Sequence, residues 1–268
     1  MQITLLGHSG IGKTTLSTLL TNGGWYHYSG DYRIATRYLD EAVNLWLENV
    51  AAQIPTLKKL LEEDALSIKG KVEIEKLAVL SAYIGKLGRE GFSLNEFLTR
   101  QKAFTEAEKQ AMYDIPLFIH RAKTRFKKEK FINDAGGSLG EYGDDLELME
   151  FLAQRTIFVY LHAEEDLQQE LENRAARYPK PICYQPQFLQ TMIESYKQVS
   201  GIKNPDDFPS DEFLRFVMPY FFRHRRDNYL KIAKKYGVIL KVKEVWQCRE
   251  AADFENLLKK ELKAQRGV

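Results

Sequence analysis

Gly7-His8-Ser9-Gly10-Ile11-Gly12-Lys13-Thr14 is the stretch on which the reading of this chain turns. It follows a short apolar run, Ile3-Thr4-Leu5-Leu6, and leads into Thr15-Leu16-Ser17-Thr18-Leu19-Leu20, whose apolar residues gather on one side of a helix. Strand, glycine-rich loop and helix in that order are the context a phosphate-binding loop requires. Glycines let successive backbone N–H groups turn inward around phosphate oxygens, and the following helix points its positive end at the same anion. Lys13 is then placed to reach the β- and γ-phosphates, the Thr14 hydroxyl to hold Mg²⁺, and residues 7–15, Thr15 included, to form the cradle. A plain glycine turn between strand and helix does not explain Lys13-Thr14. The stretch predicts ATP and Mg²⁺ as ligands.

The rest of the composition is permissive. With 268 residues the chain has room for one large α/β domain, and a net charge of +2 gives no case for a dedicated nucleic-acid binder. Cys183 and Cys248 lie far apart and offer no metal-ligand spacing, which suits thiols in a reducing compartment. No apolar run reaches membrane-spanning length, and the first strand begins at once without a leader pattern. A cytoplasmic protein with no membrane partner is the expectation.

Downstream, Asn22-Gly23-Gly24 breaks the first helix and Trp25-Tyr26-His27-Tyr28 reads as a strand. It delivers Asp31 and Arg33 to a strand end, and in an open α/β sheet those ends line the ligand crevice. Asp31 can accept the proton of an attacking hydroxyl, hold Mg²⁺, or merely shape a turn. Arg33 is a candidate clamp for a substrate anion, whereas Arg37 reads as a solvated position. Phe131-Ile132-Asn133-Asp134 is a third strand ending in a carboxylate, the pattern by which a strand end engages Mg²⁺. Gly136, Gly137 and Ser138 then bring free backbone N–H groups to the same edge, with Glu141 as a further carboxylate in reach. Thr156-Ile157-Phe158-Val159-Tyr160-Leu161 and Gly237-Val238-Ile239-Leu240-Lys241-Val242 complete the strands.

Between the second and third strands, residues 38–128 carry only helical signals. Leu39, Val43, Trp46, Val50 and Ile54 form one apolar stripe, and Leu77, Leu80, Ile84 and Leu87 a second that Gly88 ends. Ser93-Leu94-Asn95-Glu96 and Thr105-Glu106-Ala107-Glu108 both fit a capping box at a helix start, and Pro116 is expected to kink the last helix. The cations from Arg121 to Lys130 read as a solvated face, with anion steering as a weaker alternative. Beyond the fourth strand comes a helix over residues 164–176. Arg174 and Arg177 end it at a proline-rich stretch, so 174–188 is expected to be a lid over phosphates. Helices are expected over 188–199, 211–235 with a kink at Pro219, and 253–263. His224 on the second of these reads as structural.

This order of parts resembles the P-loop kinase group, which includes nucleoside monophosphate kinases and shikimate-kinase-like proteins. Residues 7–14 are similar to its phosphate loop, Asp31 to its acidic second strand, and Arg174 and Arg177 to its lid arginines. The phrases His27-Tyr28-Ser29-Gly30-Asp31-Tyr32-Arg33-Ile34 and Phe131-Ile132-Asn133-Asp134-Ala135-Gly136-Gly137-Ser138 resemble a bacterial family labelled simply "ATPase". The resemblance implies a three-layer P-loop NTPase sandwich over 1–268 with a parallel sheet of five strands in the order 2-3-1-4-5. Arg33 stands where shikimate kinases carry a second Asp, and the insert of about ninety residues exceeds an ordinary connection, so the resemblance carries over no substrate. The expected activity is ATP-dependent phosphorylation of an acceptor, with Lys13, Asp31, Arg174 and Arg177 catalytic. The alternatives are an ATPase or nucleotide-dependent switch acting on a partner, and a kinase of nucleic acids using the basic run.

Overall fold

The computed structural model describes residues 1–70, 72–73 and 77–267. Residues 71 and 74–76 of the expected insert, and residue 268, lie outside the described residues. The chain opens with β1 (Gln2–Leu6), α1 (Lys13–Asn22), β2 (Tyr26–Ser29) and a short α2 (Gly30–Arg33) that continues through a wide turn, Ile34–Tyr38. The insert follows as α3 (Asp40–Ala51), α4 (Pro55–Glu62), α5 (Ala78–Ile84), α6 (Leu94–Tyr113) and α7 (Ile115–Phe126). Then come β3 (Phe131–Asp134), a tight turn of helix Gly137–Tyr142, α8 (Leu146–Ala153), β4 (Ile157–His162), α9 (Glu165–Arg177) and α10 (Pro186–Ser200). The long α11 (Ser210–Tyr236), β5 (Gly237–Lys241), α12 (Val242–Val245) and α13 (Ala251–Arg266) complete the chain.

The five strands are all parallel and lie in the order β2-β3-β1-β4-β5, the arrangement expected of a kinase-like P-loop α/β fold. Alternation along each strand sorts side chains onto two faces. Ile3, Leu5, Ile132, Val159, Leu161, Val238 and Leu240 join one core with Leu16 and Leu20 of α1 and the apolar sides of α11 and α13. Leu6, Tyr28, Phe131, Phe158 and Tyr160 join the other, with the insert helices and α8. Because both faces are covered, the strands read as apolar runs rather than alternating ones. Among the polar exceptions, Thr4 Oγ1 lies 2.7 Å from Thr156 Oγ1 and Asn133 Nδ2 donates to Thr4 at 3.2 Å, while Asn133 Oδ1 is left without a partner among the described residues. In register, Asp134 stands level with Leu5 and with Ser29, so the carboxyl ends of β1, β2 and β3 finish together.

Several local expectations in the insert are corrected. Thr105-Glu106-Ala107-Glu108 starts no helix, because α6 runs through it and Glu108 is fully buried. The Ser93 box does start α6, with Ser93 Oγ accepting from the Glu96 N–H at 3.4 Å. Pro116 kinks nothing: it sits in the first turn of a new helix, α7, where its missing N–H is not needed. The second stripe ends at Gly85, not Gly88, and Leu87 joins the opposite core from Leu80 and Ile84. Of the first stripe, Leu39 and Val43 are buried, but Val50 is exposed on α3 and Ile54 is exposed beyond its end. Among the described residues, no helix is long and apolar enough to cross a membrane.

Candidate active site

The glycine loop of residues 7–14 is held from beneath and behind. Ile11 is fully buried, and the Lys13 ammonium folds back to donate to the carbonyls of Gly7 (2.8 Å) and His8 (3.2 Å). The Tyr229 hydroxyl reaches from α11 to the carbonyls of Gly7 and Gly137, tying the loop to the Gly136-Gly137 turn beside it. Gly10 has a φ of 80°, and a Cβ there would stand 2.1 Å from Nη2 of Arg174. Only glycine allows that approach, and Arg174 Nη2 donates to the Gly10 carbonyl at 3.4 Å.

On the strand-end side the loop opens into a pocket of about 320 Å³, lined by Lys13, Thr14, His27, Asp31, Asp134 and Gly136 among others. Thr14 Oγ1 lies 3.4 Å from Asp134 Oδ2, and His27 Nε2 lies 3.6 Å from the same oxygen. His27, one residue before the end of the β2 apolar run, carried no sequence signal beyond its place on the strand. Asp31 occupies the first turn of α2, but the cap is Ser29, whose Oγ accepts from the Tyr32 N–H at 3.3 Å. A turn role therefore does not account for Asp31. Its Oδ1 would be 2.4 Å from a Cβ on Gly136, so the glycine is what lets the carboxylate approach that backbone. Burial and the neighbouring Asp134 push the Asp31 carboxyl up to about 6, against the pull of Lys13. Burial likewise lowers the Lys13 ammonium, while Asp134 and Asp31 hold it up.

At the other end of the loop, Trp246 Nε1 donates to the Ile11 carbonyl at 3.2 Å and lies against Gly12. Beside it opens a cavity of about 590 Å³ whose apolar walls include Leu16, Leu19, Leu161, Val245 and Trp246.

Other expected site residues lie elsewhere. Glu141 does not line the strand-end pocket. It is buried and bound to Arg225 Nε at 2.6 Å, and it accepts from the Gln185 N–H at 3.1 Å. Burial disfavours that carboxylate, yet Arg225 and His224 hold it below the usual range. Arg33 points away from the loop, with its Nε 2.7 Å from Asp114 and its guanidinium over Phe118. Arg37 is exposed, as expected. Ser138 is spent on Glu108 at 2.7 Å, whereas Gly137 does line the strand-end pocket and also lies beside Nη1 of Arg225.

The segment expected as a lid divides in two. Arg174 reaches the loop, whereas Arg177 and Tyr178 are exposed beyond it. From Ile182 to Gln185 the chain is tied down. Gln101 Nε2 donates to the Ile182 carbonyl, the Tyr184 N–H donates to Gln101 Oε1, and Arg225 donates to the Cys183 carbonyl. The basic run is partly consumed too, with Lys130 on Glu255 at 2.6 Å and Lys128 on the Trp25 carbonyl at 2.9 Å.

Gln101 and Arg225 have no motif, and Glu108 reads only as the last residue of a capping box. Glu108 accepts from Ser138 and Tyr142, each at 2.7 Å, and burial pushes its carboxyl up to about 8. The buried His8, inside the loop itself, stacks on Phe222 at 4.7 Å.

No family model matches the chain, and no curated protein matches it. Among solved structures, the chain is similar to the crystal structure of shikimate kinase from Bacteroides thetaiotaomicron. The identity is 13%, the match covers 98% of this chain and 97% of that one, and the TM-score is 0.44. The fold rests on the sheet order and register, and this likeness assigns no residue a role.

Proposed function

We propose that this protein is an ATP- and Mg²⁺-dependent kinase that phosphorylates a hydroxyl acceptor. One observation carries the reading: Lys13, the Thr14–Asp134 pair and Asp31 line a single pocket at the mouth of the glycine loop. In this reading the loop N–H groups and the start of α1 hold the triphosphate, and Lys13 leaves its carbonyl partners for phosphate oxygens. The apolar cavity beside Trp246 suits the nucleobase, since it adjoins the Gly12 end of the loop and is large enough for a ring system.

Thr14 and Asp134 offer two hard oxygen donors close together, which fits Mg²⁺ because that ion keeps most of its shell as water and phosphate oxygen. Bound there, it would supply positive charge at the phosphate oxygens. Asp31 accepts the proton as the acceptor oxygen attacks the γ-phosphorus and the bond to the bridging oxygen of ADP breaks. A carboxyl shifted to about 6 suits that task, being ionised at neutral pH yet basic enough to take a proton. Arg174, held at Gly10, adds charge from the opposite side of the loop.

The test is an ADP-release screen across hydroxylated metabolites, nucleosides and oligonucleotides, with Lys13→Ala as control. Release that depends on an added acceptor, and vanishes in the control, is the expected result. Release without any acceptor that a protein partner stimulates would make the protein a nucleotide-driven switch and end the kinase reading.

A further inference from the structure

On the far side of the loop from Asp31 and Asp134 lies a second cavity, of about 420 Å³. Met218, Phe221 and Phe222 of α11 form its apolar wall, together with Leu171 of α9 and Ile182. Three cations also line it: Arg225, and at the exposed mouth Arg174 and Lys180. No carboxylate is among the described residues that line it. Glu141 offsets Arg225 from behind, which leaves the charge of Arg174 and Lys180 facing the opening.

His8 sits on the same lining. It is 2% exposed, and its Nε2 has no hydrogen-bond partner. A buried polar atom without a partner costs free energy, so its place beside a cavity marks where a ligand's polar group can sit. Burial, with Arg225 and Lys13 nearby, pushes the imidazole down to about 3, so the ring is neutral and can pair with a hydroxyl without adding charge. Ser9 and Gly10 line both this cavity and the pocket that holds Asp31. The insert contributes to both as well, Leu77 to one and Ser81, a turn further on, to the other.

From these observations we infer that the cavity binds an aryl phosphate or carboxylate, an oxyanion carried on an aromatic body. The apolar part packs on Met218, Phe221 and Phe222, and the oxyanion meets Arg174 and Lys180. A polar substituent pairs with His8 Nε2. That this ligand is the acceptor, extending a hydroxyl past Ser9 and Gly10 toward Asp31, rests on the kinase reading. The binding site itself does not.

Calorimetric titration with 2-naphthyl phosphate tests the site, using full-length protein held with a non-hydrolysable ATP analogue and Mg²⁺. The probe should bind with the nucleotide in place. Met218→Trp, which fills the cavity, should weaken it by about tenfold or more, the loss of one well-packed apolar contact surface. Since Met218 is buried and its variant can misfold, Lys180→Glu is the second arm. Reversing that exposed charge should weaken 2-naphthyl phosphate by about threefold and leave uncharged 2-naphthol unaffected. Displacement of the probe by the nucleotide, or wild-type affinity in both variants, overturns the inference. Failure of the kinase reading would show separately, as no acceptor-dependent ADP release from a protein that still binds the probe.

Discussion

Two regions meet at the glycine loop: the strand ends of β1, β2 and β3, and the helical cover built from the insert and the segment after α9. At the strand ends every candidate group lies within a few residues of a strand terminus. Asp134 closes β3, Asp31 follows β2 by two residues, and Lys13 opens α1. The parallel register brings their strand ends level with one another. The cover is assembled differently. Its defining contacts are Glu108 with Ser138, Gln101 with Tyr184 and Arg225 with Glu141, which join positions 30, 83 and 84 residues apart. Position along a sheet edge follows from topology, whereas helix-to-helix pairing depends on which side chains pack. The first is a property of the fold, and the second belongs to this chain.

If that division is right, substitutions at the strand ends should abolish chemistry, and those in the cover should tune it. The largest loss is expected from Lys13→Ala, about a thousandfold in ATP turnover, because in the kinase reading its charge meets the transferring group. Asp31→Asn should follow, at about a hundredfold in acceptor-dependent ADP release with nucleotide affinity retained. Its pH profile gives a further check. A carboxyl shifted to about 6 is protonated below that pH and cannot accept a proton, so kcat/KM should fall as pH drops through about 6. A flat profile across that range would remove Asp31 from proton transfer, as would full activity of the amide.

The sequence displayed the strand ends well and the cover poorly, for physical reasons. The loop and the acidic strand ends follow from local patterns joined to the rules of parallel sheets, and the strand order is implied by the resemblance to the P-loop kinase group. Thr105-Glu106-Ala107-Glu108 shows where local reading stops. The spacing satisfies a capping box, but tertiary packing buries Glu108 against Ser138 and Tyr142 and carries α6 straight through. Glu141 is the converse: a carboxylate close to the right edge in sequence, drawn back because Arg225, 84 residues away, claims it. His8 sits inside the motif, yet nothing in the motif says that its ring will be buried on Phe222.

Glu108 separates the two regions by stability rather than by rate. Its folded pKa is raised from 4.5 to about 8, so the stability linked to its proton is fully present below about 4.5 and lost as pH rises through about 8. Glu108→Gln keeps the shape and an oxygen for Ser138 and Tyr142 but cannot ionise. The wild-type Tm should therefore fall by several degrees relative to the variant between about pH 5 and pH 9. Parallel melting curves across that range would mean that the two hydroxyls keep Glu108 ionised in the folded protein.

The smallest effects come from the two arginines at the end of α9, which the sequence treats alike and the structure does not. Arg174 lies over Gly10 and donates to its carbonyl, while Arg177, one helical turn on, is exposed and lines none of the cavities that meet at the loop. Arg174→Ala should cost about tenfold in kcat/KM, which corresponds to about 1.4 kcal/mol of transition-state stabilisation. Arg177→Ala should stay within about twofold, as expected of an exposed charge that gains little in high dielectric. Equal and large losses in both would mean that α9 turns during the reaction to bring Arg177 onto the phosphates, as a moving lid requires. Ile182, Cys183, Tyr184 and Gln185 are fixed by Gln101, Arg225 and Glu141, so any such motion has to be taken up between Tyr178 and Pro181.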